Sequence, residues 1–274
     1  MANIGRVATI LFVLFFGVMA PAEARPSRCL AMANTFPQAI FVNQPSAKLD
    51  EGEVKLTFAG HSTFLIESPK GVTLATDYYG YTGVTDLTQV VTMNHAHETH
   101  YTDFVDPRIP HVLRGWNPQG GAARHDVEVG DVQIRNVPTD IRSWSGAVEP
   151  FGNSIFIFEL AGLCIGHLGH LHHTPTPQHF GMIGLLDVVM VPVDGTYTLN
   201  HESMIGVLKS LRARMIIPMH YFSANTLAGF LARLDETFPI KTHASKTITI
   251  SEETLPKVST IVVLPGSHSF YDED

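Results

Sequence analysis

The sequence predicts an α/β fold in which β-sheets are covered by helices. Short β-rich segments separated by turn residues dominate the first half, and apolar strands alternate with amphipathic helical segments in the second half. Of the 274 residues, 45% are hydrophobic and only 16% are charged, which is the composition of a globular chain. The chain is long enough to bury a sizeable core, and no repeat or obvious linker divides it. We therefore expect one α/β domain.

The N-terminal residues have the features of a secretory signal rather than of the fold. Arg6 precedes an apolar run over residues 7–20, and small residues at positions 22 and 24 provide a cleavage site. The run is short for a bilayer span, so cleavage is favoured over the alternative of an uncleaved anchor. We expect a periplasmic or secreted protein without stable membrane insertion. The predicted organisation is a signal peptide (1–24), a leader segment (25–50) and a folded domain (51–274).

The charge balance and the cysteine count exclude several classes of protein. The formal net charge is −8 and no basic run exists, so we expect no nucleic-acid partner. Two cysteines are too few for a disulfide scaffold or a cysteine-rich zinc site. After export, Cys29 and Cys164 either pair or remain free thiols. The one anomaly in the composition is the presence of 15 histidines.

Hairpins account for the first half of the chain. Turn signals at Gly60-His61, Lys70-Gly71, Gly130-Asp131 and Ala161-Gly162 separate segments that are rich in β-branched and aromatic residues. The predicted strands are 54–58, 63–67, 72–76, 87–93, 127–137 (with its interior hairpin turn), 153–160 and 163–168.

Strands and helices alternate in the second half. The predicted elements are a strand over 186–193, a helix over 200–211, a strand over 215–219, a helix over 226–236 and strands over 248–250 and 260–264. Asn200 is the expected N-cap of the first helix. Polar residues that directly follow strands are expected at one edge of the sheet, where functional sites are usually built.

The most informative segment is Asn94-His95-Ala96-His97-Glu98-Thr99-His100, which directly follows a predicted buried strand. Alternate residues of an extended chain face the same side, so we expect His95 and His97 to converge on one ion. His100 falls on a following turn within reach of the same ion or a neighbouring one. Neutral imidazole is the commonest transition-metal ligand in proteins. A surface histidine cluster is the alternative, but it rarely follows a buried strand.

Two more strand ends carry histidines. His167 and His170 lie at the end of the strand 163–168, and His220 follows the strand 215–219. A site drawn from three strand ends is what a catalytic metal needs. The predicted metal ligands are His95, His97, His100, His170 and His220. The residues expected to orient these ligands are His61, Asp77 and His167.

In combination, these motifs resemble the metallo-β-lactamase-fold hydrolase superfamily. Within it they are most similar to the branch of ascorbate-6-phosphate lactonases and N-acyl-phosphatidylethanolamine phospholipase D. His95-x-His97-x-x-His100 resembles the H-x-H-x-D-H motif of the superfamily. The other similar segments, all within residues 52–224, are 56–66, 73–77, 152–156, 167–169, 191–198 and 217–221. The resemblance implies an αββα four-layer sandwich with a metal site at one edge.

Three positions depart from the family pattern. Thr99 stands where the first motif has an aspartate, and His170 stands where the family has a bridging aspartate. Ile141 lies where the branch has a further histidine. A neutral all-histidine shell offsets none of the charge of two adjacent dications, which would repel strongly in a low-dielectric cleft. We therefore expect one Zn²⁺ ion, or another divalent transition metal in its place, rather than two ions.

The activity implied by the resemblance is hydrolysis of a small molecule by a metal-activated water. A lactone or ester and a phosphodiester both remain open as substrate classes. Asp140 and Asp194 end strands and are candidates for the general base, with turn formation or capping as the alternative for each. Arg142 is either an anchor for an anionic substrate or an ordinary surface residue. The changed ligands also motivate an alternative function, a non-catalytic metal-binding protein derived from the hydrolase fold.

Overall fold

The computed structural model describes residues 27–30, 49–82, 87–95, 98–143, 145–234 and 236–266. The predicted signal peptide (1–24) lies outside the described residues, as do most of the leader segment and the predicted ligand His97. None of the helices in the described ranges has the length and hydrophobicity needed to cross a membrane.

Among the described residues, strands outnumber helices. In chain order, the elements are β1 (Val54–Gly60), β2 (Thr63–Glu67), β3 (Thr73–Ala75), β4 (Val90–Met93), β5 (His111–Arg114), β6 (Asp126–Val129), β7 (Val132–Arg142), β8 (Val148–Leu160), β9 (Leu163–His167), α1 (Pro177–Ile183), β10 (Val188–Pro192), α2 (His201–Leu211), β11 (Met215–Met219), α3 (Ala224–Leu231), β12 (Ile240–Thr242), β13 (Thr247–Ile250) and β14 (Thr260–Val263).

Two sheets form the architecture of the described residues. One has six strands in the order β13-β1-β2-β3-β4-β5, and the other has eight in the order β12-β14-β11-β10-β9-β8-β7-β6. Hairpin strands such as β1 and β2 pair antiparallel, whereas β3, β4 and β5 run parallel to one another. The helices follow strands of the larger sheet. The predicted α/β sandwich class is therefore confirmed.

The core is formed by apolar side chains from both sheets. Phe64 of β2 and Phe156 and Phe158 of β8 are among the largest fully buried side chains, and all belong to one continuous cluster. Helix α2 adds Met204, Val207, Leu208 and Leu211 to this cluster, at the spacing of one helical face. Burial of these faces explains why the sheets pack against each other and against the helices.

Strand register brings the ends of several strands to one edge. In the larger sheet, Met190 of β10 is level with His167 of β9, and Pro192 is level with Met219 of β11. The residues after these strands therefore emerge side by side. In the smaller sheet, Ala75 of β3 is level with Val91 of β4, so the segments that follow both strands are neighbours as well.

A disulfide connects the N-terminal part of the chain to the larger sheet. Cys29 and Cys164 are bonded across a sequence separation of 135 residues, with their Cα atoms 5.7 Å apart. Cys29 is fully buried, and its carbonyl oxygen accepts a hydrogen bond from Leu185 N–H at 2.8 Å. The two cysteines are therefore paired rather than free.

Some predicted boundaries need correction. The strand expected over 87–93 begins at Val90, and the helix expected to reach residue 236 ends at Leu231, followed by the C-cap residue Ala232. The short elements β5, β12 and α1 were not predicted.

Candidate metal centre

Three histidines meet at the sheet edge described above. One ring nitrogen from each of His61, His100 and His220 lies within 4.8 Å of the others, and we call this group the candidate metal centre. His61 sits in the turn between β1 and β2, His100 lies in the connection between β4 and β5, and His220 directly follows β11. His100 and His220 are buried, whereas His61 is half-buried. His61 is therefore the most exposed member of the cluster.

A buried carboxylate orients His100. Asp77 Oδ2 lies 2.6 Å from His100 Nδ1, and Asn94 Nδ2 donates to Asp77 Oδ1 at 2.8 Å. Burial alone would raise the pKa of Asp77, but the charges and hydrogen bonds of His100, His167 and Asn94 hold it below its ordinary value. The ionised carboxylate accepts the Nδ1 proton, so a neutral His100 ring carries its lone pair on Nε2.

A second buried carboxylate orients His220. Asp194 Oδ2 lies 3.0 Å from His220 Nδ1. Asp194 also accepts hydrogen bonds from the backbone N–H groups of Thr196, Tyr197 and Thr198 and from two threonine hydroxyls. Burial acts to raise the pKa of Asp194, but His220 and these donors outweigh burial and lower it far below its ordinary value. The short contact with this ionised carboxylate favours a proton on His220 Nδ1, although its geometry is not that of a hydrogen bond.

The two Nε2 atoms face each other. The distance between His100 Nε2 and His220 Nε2 is 3.1 Å, and the two rings are nearly parallel at 15° with their centroids 5.0 Å apart. Asp77 accepts the Nδ1 proton of His100, so the lone pair of His100 Nε2 points at His220 Nε2. At this distance the two nitrogens can share a proton or bind one cation together. The arrangement therefore suits a positively charged ligand.

The backbone around the centre is unusual. His61 (φ 50°), Asp77 (φ 43°) and His220 (φ 53°) all adopt the left-handed conformation, which is uncommon for residues with a side chain. Conformations of this kind persist when the surrounding structure over-determines them, and they cluster at functional sites. Three such residues in one site support a functional role for it.

His167 stabilises the turn that carries His61. Its Nε2 donates to the carbonyl oxygen of Ser62 at 2.8 Å, and its Nδ1 accepts from Gly169 N–H at 3.1 Å. Burial lowers the pKa of His167 below its ordinary value, although Asp77 opposes the shift. Both ring nitrogens are therefore used in hydrogen bonds to the backbone, and the neutral ring stabilises this turn.

His170 packs edge-on against the candidate metal centre. Its ring centroid lies 4.8 Å from that of His100 and 4.7 Å from that of His220. Its backbone N–H donates to Asn153 Oδ1 at 2.8 Å. Its Nδ1 is hydrogen-bonded to His172 Nε2. His170 is thus brought to the site, but its Nδ1 contacts another imidazole.

His95 lies apart from the three histidines. Its side chain is 41% exposed, its Nδ1 is 3.2 Å from Glu149 Oε1, and its ring packs 5.0 Å from that of Trp116. It lines a cavity of about 460 Å³ together with Trp116, Glu149 and Phe151. The structure therefore does not bring His95 together with His100, and its role as a metal ligand stays a prediction.

The two predicted general bases have different surroundings. Asp140 lies at an irregularity in the pairing of β7 with β8, where its Oδ1 accepts from Phe151 N–H at 3.0 Å. Asp194 has both oxygens occupied by the donors described above. The guanidinium of Arg142 donates to the carbonyl oxygens of residues 196, 197 and 198 at 2.9 to 3.1 Å. Arg142 thus supports the loop that holds Asp194.

Three supporting residues were not predicted from the sequence. Asn94 links Asp77 to the backbone N–H of Ser154 (2.7 Å), Asn153 holds the backbone of His170, and His172 contacts the ring of His170. A signal existed for the two asparagines, since each stands beside or within a strongly apolar strand. A buried amide there must find hydrogen-bond partners.

Known proteins resemble this chain in sequence and in fold. A family model for the beta-lactamase superfamily domain matches residues 55–220. A UPF0173 metal-dependent hydrolase from Pelotomaculum thermopropionicum is 26% identical over 196 residues, which span 61% of this chain and 84% of the relative. A second, from Ignicoccus hospitalis, is 28% identical over 199 residues (61% and 82%). A crystal structure from Thermotoga maritima, described as that of a Zn-dependent hydrolase of the metallo-beta-lactamase superfamily, is 28% identical with a TM-score of 0.56, covering 78% of this chain and 100% of that one.

A two-sheet sandwich with a histidine cluster at one sheet edge defines an α/β protein built to bind a cation. The matching family model covers more than half of the chain, so it defines the class of protein more closely. The chain belongs to the beta-lactamase superfamily, which confirms the predicted superfamily. The predicted branch within it stays a prediction.

Proposed function

We propose that the protein is an exported metal-dependent hydrolase that holds one divalent metal ion, Zn²⁺, at the candidate metal centre. The observation that carries the proposal is the 3.1 Å approach of His100 Nε2 to His220 Nε2, each with its Nδ1 directed at a buried carboxylate. The metal-dependent hydrolase relatives support the activity, and the Thermotoga maritima protein supports zinc.

The donor set fits zinc. Catalytic zinc sites use three protein ligands and leave a fourth position open, and zinc-bound histidines commonly donate their other N–H to a carboxylate. Two nitrogens bound at tetrahedral angles lie about 3.3 Å apart, given Zn–N distances of roughly 2.0–2.1 Å. The separation of 3.1 Å between His100 and His220 is close to this value. His61 is the third donor within reach.

The distribution of charge favours one ion rather than two. Asp77 and Asp194 both contact the Nδ1 side of their histidines, so neither carboxylate adds negative charge on the Nε2 side. Thr99 and His170 stand where the family pattern has aspartates. Two dications close together without carboxylate ligands would repel strongly.

When bound, such an ion supplies an activated water and polarises the scissile oxygen of the substrate. The chain itself fixes the ligands before substrate arrives. Asp77 sets the tautomer of His100, Asp194 lies 3.0 Å from His220 Nδ1, and Arg142 supports the loop that presents Asp194. Because both oxygens of Asp194 are occupied, we assign it to the orientation of His220 rather than to proton transfer.

The rim of the site favours an uncharged substrate with an apolar group, which means an ester or lactone rather than a phosphodiester. Phe222 packs 5.7 Å from the ring of His61 and 5.4 Å from that of His220, and Tyr197 packs 5.5 Å from Phe222. Although both residues are aromatic, Tyr197 is 50% exposed and Phe222 is 42% exposed. Exposed aromatic side chains beside a site commonly contact ligands. Arg142, the cation considered for an anionic substrate, donates instead to backbone carbonyls.

The disulfide supports export. Disulfides persist in the periplasm and outside cells, and they are rare in reducing cytosol. The bond between Cys29 and Cys164 and the signal-like residues 1–24 together favour a periplasmic or secreted location.

Metal analysis combined with a substrate panel tests this proposal. The purified mature protein is expected to retain one zinc ion per chain and to hydrolyse members of a panel of lactones, esters and phosphodiesters. His220→Asn, which suits the left-handed backbone, should lose both zinc and turnover, and His111→Asn in β5 is the matched control. Two tightly bound ions per chain would overturn the single-metal claim. Full zinc retention without any turnover would favour the alternative, a non-catalytic metal-binding protein.

A further inference from the structure

We infer that His170 is a hydrogen-bond donor to the substrate and not a metal ligand. This inference rests on the proposed function, because it concerns the same site. It differs from the sequence-based prediction, which placed His170 among the ligands.

The backbone N–H of Arg142 determines the tautomer of His172. Arg142 N–H donates to His172 Nδ1 at 2.6 Å, so His172 Nδ1 carries a lone pair and the ring proton of His172 is on Nε2. His172 Nε2 is hydrogen-bonded to His170 Nδ1. Since Nε2 of His172 donates, Nδ1 of His170 accepts, and the ring proton of His170 is on Nε2.

This tautomer is the opposite of that in His100. His100 donates Nδ1–H to Asp77 and keeps the lone pair on Nε2, whereas His170 accepts at Nδ1 and carries the proton on Nε2. A protonated nitrogen does not bind a metal. To bind a metal through Nε2, His170 would have to break its hydrogen bond with His172. Alternatively, His172 would have to lose the hydrogen bond that it accepts from the backbone N–H of Arg142.

The position of His170 suits a donor to the reacting oxygen. The ring is fully buried, its backbone is fixed by Asn153, and it packs edge-on against both His100 and His220. During ester or lactone hydrolysis, negative charge develops on the former carbonyl oxygen. A preorganised N–H group beside that oxygen stabilises the transition state, and removing one such donor typically costs about 10²–10³ in kcat.

Metal retention and imidazole NMR test the inference independently of turnover. Full-length wild type, His170→Ala, His170→Gln and His220→Asn are each mixed with zinc sulfate, and the zinc that remains after gel filtration is counted. Wild type and both His170 variants should retain equal zinc, while His220→Asn loses it. In ¹⁵N-labelled wild type, the shift of His170 Nε2 should be that of a protonated nitrogen and the shift of Nδ1 that of an unprotonated one.

Measurements of kcat then distinguish a hydrogen-bond donor to the substrate from a residue that only stabilises the site. Using the best ester or lactone of the panel, His170→Ala should lower kcat by about 100-fold, and His170→Gln should recover part of it, because the glutamine amide places an N–H near the position of Nε2. Zinc loss in His170→Ala as complete as in His220→Asn would overturn the inference, as would a protonated Nδ1 or an unchanged kcat. Wild type that retains no zinc would instead refute the proposed function, and the NMR shifts would still decide the tautomer.

Discussion

The backbone N–H of His220 donates to the carbonyl oxygen of His61 at 2.7 Å, which ties the end of β11 in the larger sheet to the β1–β2 turn in the smaller sheet. Both residues are left-handed, so this one hydrogen bond joins two unusual backbone segments. Two members of the candidate metal centre are therefore positioned by main-chain geometry as well as by side-chain partners. Changes that move the backbone near the site should affect metal binding even where no ligand is altered.

The first prediction concerns Asp77 and pH. The pKa of Asp77 in the folded chain is below its ordinary value of 3.8, so its contribution to stability is present above that pH and is lost as the pH falls through the lower, folded-state value. Asp77→Asn should lower the free energy of unfolding by about 2–3 kcal/mol at pH 7, because a buried hydrogen bond to a charged group is lost. The difference in the free energy of unfolding between Asp77→Asn and wild type should shrink below pH 3.8. Urea unfolding of metal-free protein at several pH values measures this difference. The exposed control Asp103→Asn should match wild type, and a deficit independent of pH would contradict the explanation.

The second prediction concerns Gly169, which is left-handed at φ 59°. A Cβ atom at this position would meet Asn153 Oδ1 and Asn94 Nδ2, the two amides that support His170 and Asp77. Gly169→Ala should therefore weaken zinc binding by about 10–100-fold, the usual cost of disturbing groups that orient ligands. Competition with a chromogenic chelator measures this affinity.

Gly206 provides the matched control for Gly169→Ala. It lies on α2 and is exposed, and a Cβ atom added there would have no neighbouring atom within 4 Å. Gly206→Ala should leave zinc affinity unchanged and raise the free energy of unfolding by about 0.5–1 kcal/mol, since alanine is the better helix former. Equal zinc affinities for the two variants would show that the asparagines do not position the site.

The third prediction concerns the disulfide. Replacing both cysteines, Cys29→Ser with Cys164→Ser, should lower the free energy of unfolding by about 2–4 kcal/mol, because the unfolded chain gains freedom when a long loop is no longer closed. Urea unfolding of wild type with and without a reducing agent provides an internal control, and reduced wild type should resemble the double variant. No change on reduction would show that the bond contributes nothing to stability.

The fourth prediction concerns the aromatic rim. The double variant Tyr197→Ser with Phe222→Ser should lower kcat/KM for a long-chain acyl ester by about tenfold, the loss expected when roughly 1.4 kcal/mol of apolar contact is removed. The value for the corresponding acetate ester should change little, because that substrate has no long apolar group. Val258→Ser, an exposed apolar position before β14, is the control. Equal losses for both esters would point to damage of the site rather than of a specificity surface.

The sequence predicts much of the fold because local rules agree with the tertiary structure. Glycine turns separate β1 from β2 and β8 from β9 as expected, and Asn200 caps α2 by accepting from Ser203 N–H at 2.9 Å. The missed strands β5 and β12 have only four and three residues, and all three residues of β12 are on the surface. Such short elements are determined by their neighbours in the sheet rather than by hydrophobic periodicity.

The alternation of side chains along an extended chain does not predict where all residues of the candidate site lie. Asn94 directly follows the fully buried strand β4 and is held inside by Asp77 and Ser154. His95 follows it and points the other way, towards Trp116. His61 depends on a left-handed turn, and the tautomer of His170 depends on a backbone donor at residue 142. These are long-range relationships, so neither spacing nor composition reveals them.

The disulfide closes residues 29–164 into a covalent ring that contains β1 to β8, His61 and His100. Strands β10 to β14, all three described helices, His170 and His220 lie beyond the ring on a single open chain. A protease cut inside the ring would leave both pieces attached until the bond is reduced, whereas a cut between residues 164 and 220 would leave the fragment that carries His220 without a covalent link to the rest. The candidate metal centre is thus formed by residues from the disulfide-closed ring and from the open chain that follows it. A bound ion would link these two parts a second time.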